Sequence, residues 1–517
     1  MFTKKKLPSN HFSIKKIMEE KDRIKKNDIK YISYMNLVLF PNNLYEIQYL
    51  PPKKDIQDIF LIEEPTFFGH RENIMNFNKL KLILHRSSMK YYQSYLKKKK
   101  YKVQYMEYKK IIKSKYNFLK KINVTVYELN DNFLQKKLSK ITSLTYLDNP
   151  NFLMPPKLLE NYYLLTQKKN KVSFKSFFNY VKKEIMEEKD QIKFEKSFDK
   201  VNRKKIPNGT QVPPKPIINK KTSKLILKAK LYVQELFPSN PGNEKNFVYP
   251  ITHIEAKKML KNFINQKLKY FGTYQDAITS DNVFLFHSIL SSSLNIGILS
   301  PKYVIKKILE LEIENYGINN IEAFLRQIIG WREYQRYCYI YYYEKMKNTN
   351  YFGHSKKLSL KWYKGTTGIP PVDNAIRFAF EYGYLHHIVR LMIMANFMNL
   401  CRIDPHECYK WFMEFSIDSY DWVMIQNLYS MGLYSDGGLT SRKPYLSSSS
   451  YILNLSNYRR GEKWGNIWKA LFYTFLEQNE TKLKKTTYMR NLNYFKNLNY
   501  KNQKKMTKLT LQFLKQI

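Results

Sequence analysis

Side chains that can carry out chemistry are concentrated in the second half of the sequence. His386 and His387 are adjacent, and Arg390 follows His386 by four residues, so a helix would bring His386 and Arg390 to one face. An imidazole can give up or accept a proton near neutral pH. Two histidines can also pack inside a core without any chemistry, and the spacing leaves both interpretations open.

Other polar residues interrupt the apolar pattern of the same half. They are the run Ser288 to Ser293, Arg326-Gln327, Trp331-Arg332 and Asp418 to Asp421. A run of serines is typical of a turn or a helix cap. The sequence has no Gly-rich phosphate loop, no zinc-ligand spacing and no G-x-S-x-G elbow. These residues alone therefore do not identify a reaction.

The elements that would position these residues follow an α/β region at the start of the chain. Short apolar runs at residues 36–40, 58–62, 102–106 and 122–126 predict buried strands, and residues 77–100 suit a helix. Strands that alternate with helices predict an α/β domain with a parallel sheet over residues 35–135. Residues 1–34 are basic and polar and are assigned to an N-terminal extension.

A connector and a helical domain are predicted to follow. The connector covers residues 136–222, and its loop from Asn202 to Pro216 carries four prolines, which resist regular structure. The pattern over residues 223–480 is helical. There Thr252-His-Ile-Glu255 is a capping box, and Gly383 can end the helix that begins at Pro370-Pro371. Residues 481–517 form a lysine-rich tail.

The size and charge of the chain limit the kinds of protein that it can be. Its 517 residues are too many for one ordinary core, so we expect two or more domains. The formal net charge of +46 predicts a polyanionic partner, nucleic acid first and an anionic membrane second. Part of this charge is also what an AT-rich coding sequence produces, because Lys, Asn, Ile and Tyr are all abundant.

The cysteines and the apolar runs bear on where the protein resides. Only three cysteines occur, without C-x-x-C spacing, so a disulfide framework and a four-cysteine metal site are excluded within this chain. The start Met1-Phe-Thr-Lys-Lys-Lys lacks the apolar run of a signal peptide, and no stretch of about 18 apolar residues exists. We expect an intracellular protein of the cytoplasm or nucleoid, neither secreted nor membrane-bound.

Several segments, taken in order, resemble one family over residues 36 to 476. Those of the first half are Phe60-Leu-Ile-Glu-Glu-Pro-Thr-Phe-Phe68, Leu82-Ile-Leu-His-Arg-Ser-Ser-Met89 and Asn202-Arg-Lys-Lys-Ile-Pro207. Those of the second half are Phe271-Gly-Thr-Tyr-Gln-Asp276, Leu294-Asn-Ile-Gly-Ile-Leu-Ser-Pro301, Gln327-Ile-Ile-Gly-Trp-Arg-Glu333, Pro370-Pro-Val-Asp373, Gly383-Tyr-Leu-His-His387 and Asp436-Gly-Gly438. The family is that of the deoxyribodipyrimidine photolyase-related proteins, in the prokaryotic (6-4) photolyase and cryptochrome branch.

The resemblance implies an N-terminal antenna domain and an all-α C-terminal domain that holds FAD. The antenna chromophore of the family would be 6,7-dimethyl-8-ribityllumazine. By motif position, Ser288, Leu290 and Ser291 would lie at the flavin pyrophosphate, which hydroxyls and free N–H groups at a helix start can bind. The cofactor-binding residues implied by the resemblance are Tyr274, Ser288, Leu290, Ser291, Gln327, Trp331, His387, Arg390 and Asp418.

The same resemblance assigns catalytic and electron-transfer roles. In the (6-4) branch a histidine pair at His386 and His387 faces the DNA lesion, and one histidine donates a proton to it. Trp411, Trp362 and Tyr451 stand at the positions of the electron-transfer residues. The alternatives are a pair of packing histidines and an ordinary aromatic core, since aromatic residues make up 16% of the chain.

The sequence also departs from the family. Many relatives carry an iron–sulfur cluster, whose Asp-Tyr-Cys-x-x-Cys segment here reads Asn457-Tyr-Arg-Arg-Gly-Glu462, and residues 464–475 contain no cysteine. Because cluster ligation requires thiolates, we expect no cluster and no other metal. Phe412 stands where relatives carry Tyr, which closes one branch of the electron route. Met424 falls near the reactive edge of the flavin, where a polar side chain is common.

Three hypotheses about function remain at this point. The first is a monomeric DNA (6-4) photolyase that acts on ultraviolet-damaged DNA with FAD. The second is a cryptochrome-type blue-light sensor with the same flavin site. The third is a nucleic-acid-binding protein whose flavin site has decayed. His386, His387 and the basic charge favour repair, and a flavin spectrum would exclude the third hypothesis.

Overall fold

The computed structural model describes residues 34–168, 171–194, 198, 200–216 and 220–517. Except for Tyr34, the predicted N-terminal extension lies outside these residues. Five strands form one sheet: β1 (Met35–Leu39), β2 (Ile56–Ile62), β3 (Val103–Met106), β4 (Val124–Tyr127) and β5 (Leu144–Leu147). All neighbouring pairs are parallel, in the order β3-β2-β1-β4-β5.

The parallel sheet confirms the predicted α/β fold class of the first part. The apolar run at residues 37–39 of β1 and that at residues 59–62 of β2 are buried in the sheet, and Leu37, Leu39, Ile59 and Leu61 are fully buried. β5 was not predicted. It is a short edge strand within the predicted connector, and it pairs with β4, so the sheet extends beyond residue 135.

Helices make up most of the remaining described chain. In order they are α1 (Lys79–Lys98), α2 (Tyr108–Ser114), α3 (Asn132–Ser139), α4 (Pro156–Thr166), α5 (Phe174–Ile185), α6 (Glu188–Lys193), α7 (Ser223–Leu236), α8 (His253–Gln266), α9 (Leu268–Tyr274), α10 (Ser291–Ile296), α11 (Pro301–Leu309), α12 (Ile313–Tyr316), α13 (Ile318–Leu325), α14 (Glu333–Asn348), α15 (Lys361–Lys364), α16 (Pro370–Tyr382), α17 (Asn396–Leu400), α18 (Pro405–Phe415), α19 (Asp421–Met424), α20 (Ser449–Leu455), α21 (Lys463–Gln478), α22 (Glu480–Leu483), α23 (Met489–Lys496) and α24 (Tyr500–Gln516).

Local signals in the sequence explain where two of these helices begin and end. Thr252 caps α8 by accepting a hydrogen bond from the Glu255 amide at 3.1 Å, as the capping box predicts. The Glu255 carboxylate accepts from the amide of Ile251 rather than from that of Thr252. Gly383 ends α16 at φ 61°, in the left-handed region that glycine adopts at little cost.

Three segments of the helical part form wider turns around the candidate site described below. Arg326–Arg332, Val389–Ala395 and Ile425–Gly432 form π segments with i→i+5 hydrogen bonds. Such segments are rare and are frequent at functional sites, because they turn side chains out of the regular helical register. All three contribute residues to one cavity.

Buried polar contacts join the α/β part to the helical part. Arg71 forms an ion pair with Asp131 at 2.8 Å and lies 3.7 Å from Asp421 of the helical part. Lys81 on α1 is buried, and its ammonium group donates to the Ser419 carbonyl at 2.6 Å. These contacts fix the loop that follows α18 against the α/β part.

The predicted lysine-rich tail packs on the helical part. Phe513 of α24 is buried, and its ring lies 5.8 Å from that of Phe397 in α17. No helix among residues 34–168, 171–194 and 220–517 is both long and apolar enough to cross a membrane.

Candidate active site

A cavity of about 560 Å³ lies among the helices of the second part. This volume is within the range of small-molecule and cofactor sites. Most of the predicted site residues line it: Ser288, Leu290, Ser291, Gln327, Trp331, His386, His387, Arg390, Asp418 and Tyr451. Tyr274, Trp362 and Trp411 do not line it.

An ion pair stands in the cavity wall. Arg390 Nη1 lies 2.8 Å from Asp418 Oδ1, and Arg390 Nε donates to the Leu385 carbonyl at 2.6 Å. The hydroxyls of Ser291 and Ser416 each donate to the Asp418 carboxylate at 2.5 Å. Burial alone would raise the pKa of Asp418, but the Arg390 charge and these hydrogen bonds lower it below its usual value. The carboxylate is therefore ionised at neutral pH.

The predicted serine run lies at the start of α10. Ser288 Oγ accepts from the Leu290 amide at 3.4 Å, whereas the hydroxyls of Ser292 and Ser293 are buried without a hydrogen-bond partner. Ile289 has φ 57°, a strained conformation for a β-branched residue. Strain and unpartnered buried hydroxyls are both enriched at functional sites, so they favour a ligand-binding role over a plain turn.

The histidines form a cluster of three. His386 is the residue just before its helix rather than within it, and its carbonyl accepts from the Arg390 amide at 3.1 Å. The ring of His287 stacks on that of His386, with centroids 4.4 Å apart and planes 16° apart. Burial lowers the pKa of His287 to about 4 and that of His386 well below 6.5. His387 is exposed to solvent, and desolvation by the surrounding chain and the Arg390 charge lower its pKa. All three rings are therefore neutral at pH 7 in the protein alone.

The predicted electron-transfer residues lie in two separate locations. Trp411 and Trp362 are fully buried, and the Trp411 indole N–H donates to the Trp362 carbonyl at 2.9 Å. Phe412 lines the cavity, with its ring 5.2 Å from that of Trp411. Within the described chain, the ring of Tyr451 contacts neither tryptophan, although Tyr451 lines the cavity. The structure brings Trp411 and Trp362 together and leaves Tyr451 apart.

Met424 and Asn427 stand on the same wall of the cavity. The Ser419 hydroxyl donates to Met424 Sδ at 3.1 Å, so the thioether is held in place. Asn427 Oδ1 is buried without a hydrogen-bond partner. The sequence interpretation did not select Asn427, which offers a polar group close to the methionine.

Two family descriptions match separate parts of the chain. Residues 37–249 match the family described as deoxyribodipyrimidine photo-lyase-related protein. Residues 323–444 match the FAD binding domain of DNA photolyase, and this span includes His386, His387, Arg390 and Asp418. Both matches are to photolyase families, so the chain is similar to the photolyase-related proteins in both of its parts.

Individual relatives agree with these family matches. A (6-4) photolyase of Agrobacterium fabrum is 36% identical over 262 residues, which are 49% of this chain and 52% of the relative. The chain thus spans about half the length of this curated relative. A Synechocystis cryptochrome structure covers 92% of this chain and 95% of its own, with TM-score 0.57 and 16% identity. An Agrobacterium tumefaciens class III photolyase structure covers 95% of this chain and 100% of its own, with TM-score 0.53 and 16% identity.

The structural likenesses confirm the photolyase and cryptochrome fold class. At 16% identity they establish the fold alone. His287 and the serine run lie between the two family matches, at residues 250–322, and Tyr451 lies beyond the second match. His287 directly precedes Ser288, but nothing in the spacing connects residue 287 with residue 386, so only the fold reveals the stack.

The chain has a second cavity, of about 1370 Å³, between its two parts. Pro65 follows β2 and Asn132 follows β4, so both stand at the carboxyl ends of the strands, where open α/β sheets bind ligands. Tyr343, Tyr409 and Asp421 line it from the helical part.

The edge of the first cavity carries basic side chains. Arg203 and Lys443 both line the cavity and are exposed. The side chain of Arg203 is 52% exposed, and its Nε lies 3.5 Å from Asp276 Oδ2. Exposed cations beside a cavity attract a polyanion, so the entrance is suited to a phosphate backbone.

The cysteines of the described chain are not arranged as a metal site. Cys338, Cys401 and Cys408 are buried and unpaired. Among the residues that the structure describes, no group of three or more His, Cys, Asp or Glu side chains could hold a metal ion.

Proposed function

We propose that this protein is a light-driven DNA repair enzyme that uses FAD to reverse pyrimidine photoproducts, the (6-4) lesion in particular. A photolyase- or cryptochrome-type function follows from the family. One observation supports the finer proposal most strongly. A single cavity is lined by the ionised Arg390–Asp418 pair and by three histidines. His287 stacks on His386, and His387 follows His386 in the chain. All of these residues except His287 lie in the part that matches the FAD binding domain.

The residues of the cavity fit a flavin. A flavin ring carries both N–H and C=O groups on its edge, and these require acceptors and donors. The Asp418 carboxylate and the unpartnered Asn427 Oδ1 are acceptors, and the Arg390 guanidinium is a donor. Reduced FAD, when bound and excited by light, would supply the electron for repair.

The residues of the chain have three tasks in this proposal. Arg390 favours negative charge on a group bound beside it, while Asp418 holds Arg390 in place. The apolar side chains of Leu391, Phe412 and Met431 line the same cavity and exclude water from it. Fixed charges in a dry site act strongly on any charge that develops there.

The histidines are proposed to hold the proton that repair consumes. Because the lowered pKa values keep all three rings neutral at pH 7, a proton can reside there only when an anion raises these pKa values. Phosphate groups of bound DNA and cofactor provide such anions. We therefore propose that the protonated cluster forms only in the loaded complex.

The DNA substrate is proposed to bind at the basic edge of the cavity. The net charge of +46 favours binding of the phosphate backbone irrespective of sequence. A damaged pyrimidine pair is unstacked at lower cost than an intact pair, so it can be flipped past Arg203 and Lys443 into the cavity.

The second cavity is proposed as the antenna site, with 6,7-dimethyl-8-ribityllumazine as its ligand. The position at the carboxyl ends of the strands and the aromatic side chains of Tyr343 and Tyr409 support this assignment. With no cluster-type cysteine spacing in the sequence, we propose that electron transfer here does not use an iron–sulfur centre.

A blue-light sensor of cryptochrome type is the second candidate function. It is favoured by the fold likeness to the Synechocystis cryptochrome and by Met424, a non-polar residue in the cavity wall. A sensor needs the flavin, but it does not need to consume a proton at a DNA lesion.

A repair assay separates these functions and tests the lesion class. The FAD-loaded, reduced protein is incubated with oligonucleotides that carry one (6-4) photoproduct or one cyclobutane dimer, under blue light and in the dark. We expect light-dependent restoration of pyrimidines from the (6-4) lesion. Restoration of the cyclobutane dimer alone would contradict the lesion class, and no restoration of either would favour the sensor.

A further inference from the structure

The stack of His287 on His386 limits the protons that the two rings can hold. Near-parallel rings 4.4 Å apart leave little room for water or an anion between them. Two positive charges at that distance in a buried site repel each other strongly. The pair can therefore hold one proton but not two.

The hydrogen bonds of the two rings are unequal. His287 Nε2 lies 3.1 Å from the Gln275 carbonyl oxygen, which can only accept, so Nε2 carries a hydrogen and Nδ1 of the neutral ring is a lone pair. Protonation of His287 therefore adds one N–H, at Nδ1, while the bond to Gln275 persists. Both Nδ1 atoms are buried without a partner, and within the described chain His386 has no carbonyl contact comparable to that of His287.

The surroundings of the pair are mostly basic. Lys267 donates to the His287 carbonyl at 3.4 Å, and its own pKa is lowered to about 8 by burial. The other charged or titratable groups that face the pair are His387, Arg390 and Arg203 with its partner Asp276. Burial lowers the pKa of both stacked rings, and the His287 charge lowers that of His386 further.

We propose that His287, and not His386, holds the proton of the stacked pair, while His386 stays neutral against it. The inference rests on the proposed repair function, in which the cluster must deliver a proton. The proton enters at His287 Nδ1, the Nε2–H bond to the Gln275 carbonyl is kept, and loss of the proton to the lesion restores the neutral ring. His287 is then a proton-holding residue that the sequence did not indicate.

Nuclear magnetic resonance of the histidine rings tests this order. The chain has nine histidines, so ¹³C,¹⁵N-labelled rings can be assigned by single variants in the FAD-loaded protein, in the dark and without DNA. As the pH falls, with folding checked by circular dichroism, the His287 signal should titrate before that of His386. In His287→Phe, which keeps a flat ring, the proton affinity of His386 should rise about tenfold, that is about one pKa unit.

A matched control separates this effect from the loss of any buried histidine. His354 is buried outside the cavity, and its ring stacks on Phe352 at 5.6 Å and 20°. His354→Phe should leave the His386 titration unchanged. Titration of His386 before His287, or an unchanged His386 in His287→Phe, would overturn the proposal.

Repair provides an independent readout for the same variants. His287→Phe should retain FAD and lower repair per bound flavin by about tenfold or more, whereas His354→Phe should repair like the wild type. Equal repair in both variants would overturn the role of His287. If the wild type repairs neither lesion, the proposed function fails, and the order of titration still decides which ring holds the proton.

Discussion

Replacement of His386 or His387 by Ala is expected to abolish most (6-4) repair without loss of the flavin. At least one of the two single variants should lose about 10²–10⁴-fold in repair per bound FAD, because both rings belong to the histidine cluster that delivers the proton and general acid catalysis contributes that much. FAD should remain bound, since the Arg390–Asp418 pair and the serine run are untouched. DNA binding should persist as well, because the phosphate contacts come from many Lys and Arg side chains.

The measurement is the number of restored pyrimidines per bound flavin in both variants. It belongs at neutral pH or above, because burial lowers the pKa of His287 from 6.5 in the unfolded chain to about 4 in the fold. Between these pH values the unfolded chain binds protons that the folded chain does not, so acid lowers stability for reasons unrelated to catalysis. His354→Ala is the control for a buried histidine outside the cavity. Unchanged repair per flavin in both variants would reject the catalytic assignment.

Asp418→Asn is expected to release the flavin. The substitution leaves the guanidinium of Arg390, whose side chain is 13% exposed, without its anionic partner. Removing one member of a buried ion pair costs about 3 kcal/mol or more, and that corresponds to about 100-fold weaker FAD binding if the pair orders the flavin site. The affinity is measured by titration of the variant with FAD, and folding is followed by circular dichroism.

A surface ion pair provides the control for this experiment. Arg377 and Glu381 form an i,i+4 contact at 3.7 Å, and both side chains are partly exposed. Glu381→Gln should change neither FAD affinity nor stability by more than about 0.5 kcal/mol. If Asp418→Asn binds FAD as tightly as the wild type, the ion pair has no part in the flavin site.

The α/β part could be predicted because β1 and β2 contain continuous apolar runs, at residues 37–39 and 59–62. β1 and β2 are buried on both faces, and Pro41 marks the end of the first run. β5 was not predicted because it is an edge strand, in which Thr145 and Tyr146 are exposed and polar in character. Edge strands carry little of the apolar signal on which sequence reading depends.

The candidate site was predictable in its residues but not in its geometry. Arg390 and Asp418 were located by motif position. The π segments beside them could not be predicted, because a 3.6-residue apolar periodicity carries no signal for a wider helical turn. His287 reaches His386 across about 100 positions of sequence, so only tertiary packing reveals the pair. For the same reason the prediction grouped Tyr451 with Trp411 and Trp362, whereas the fold separates them.

The proposed function requires that the cavity lined by Arg390, Asp418 and His387 be the flavin site. The measurement that tests this is the FAD content of the purified full-length chain, from its visible absorption spectrum and from the nucleotide released on denaturation. We predict a yellow protein with stoichiometric FAD that is lost in Asp418→Asn and kept in Glu381→Gln. A colourless wild-type protein that takes up no added FAD would contradict the central claim.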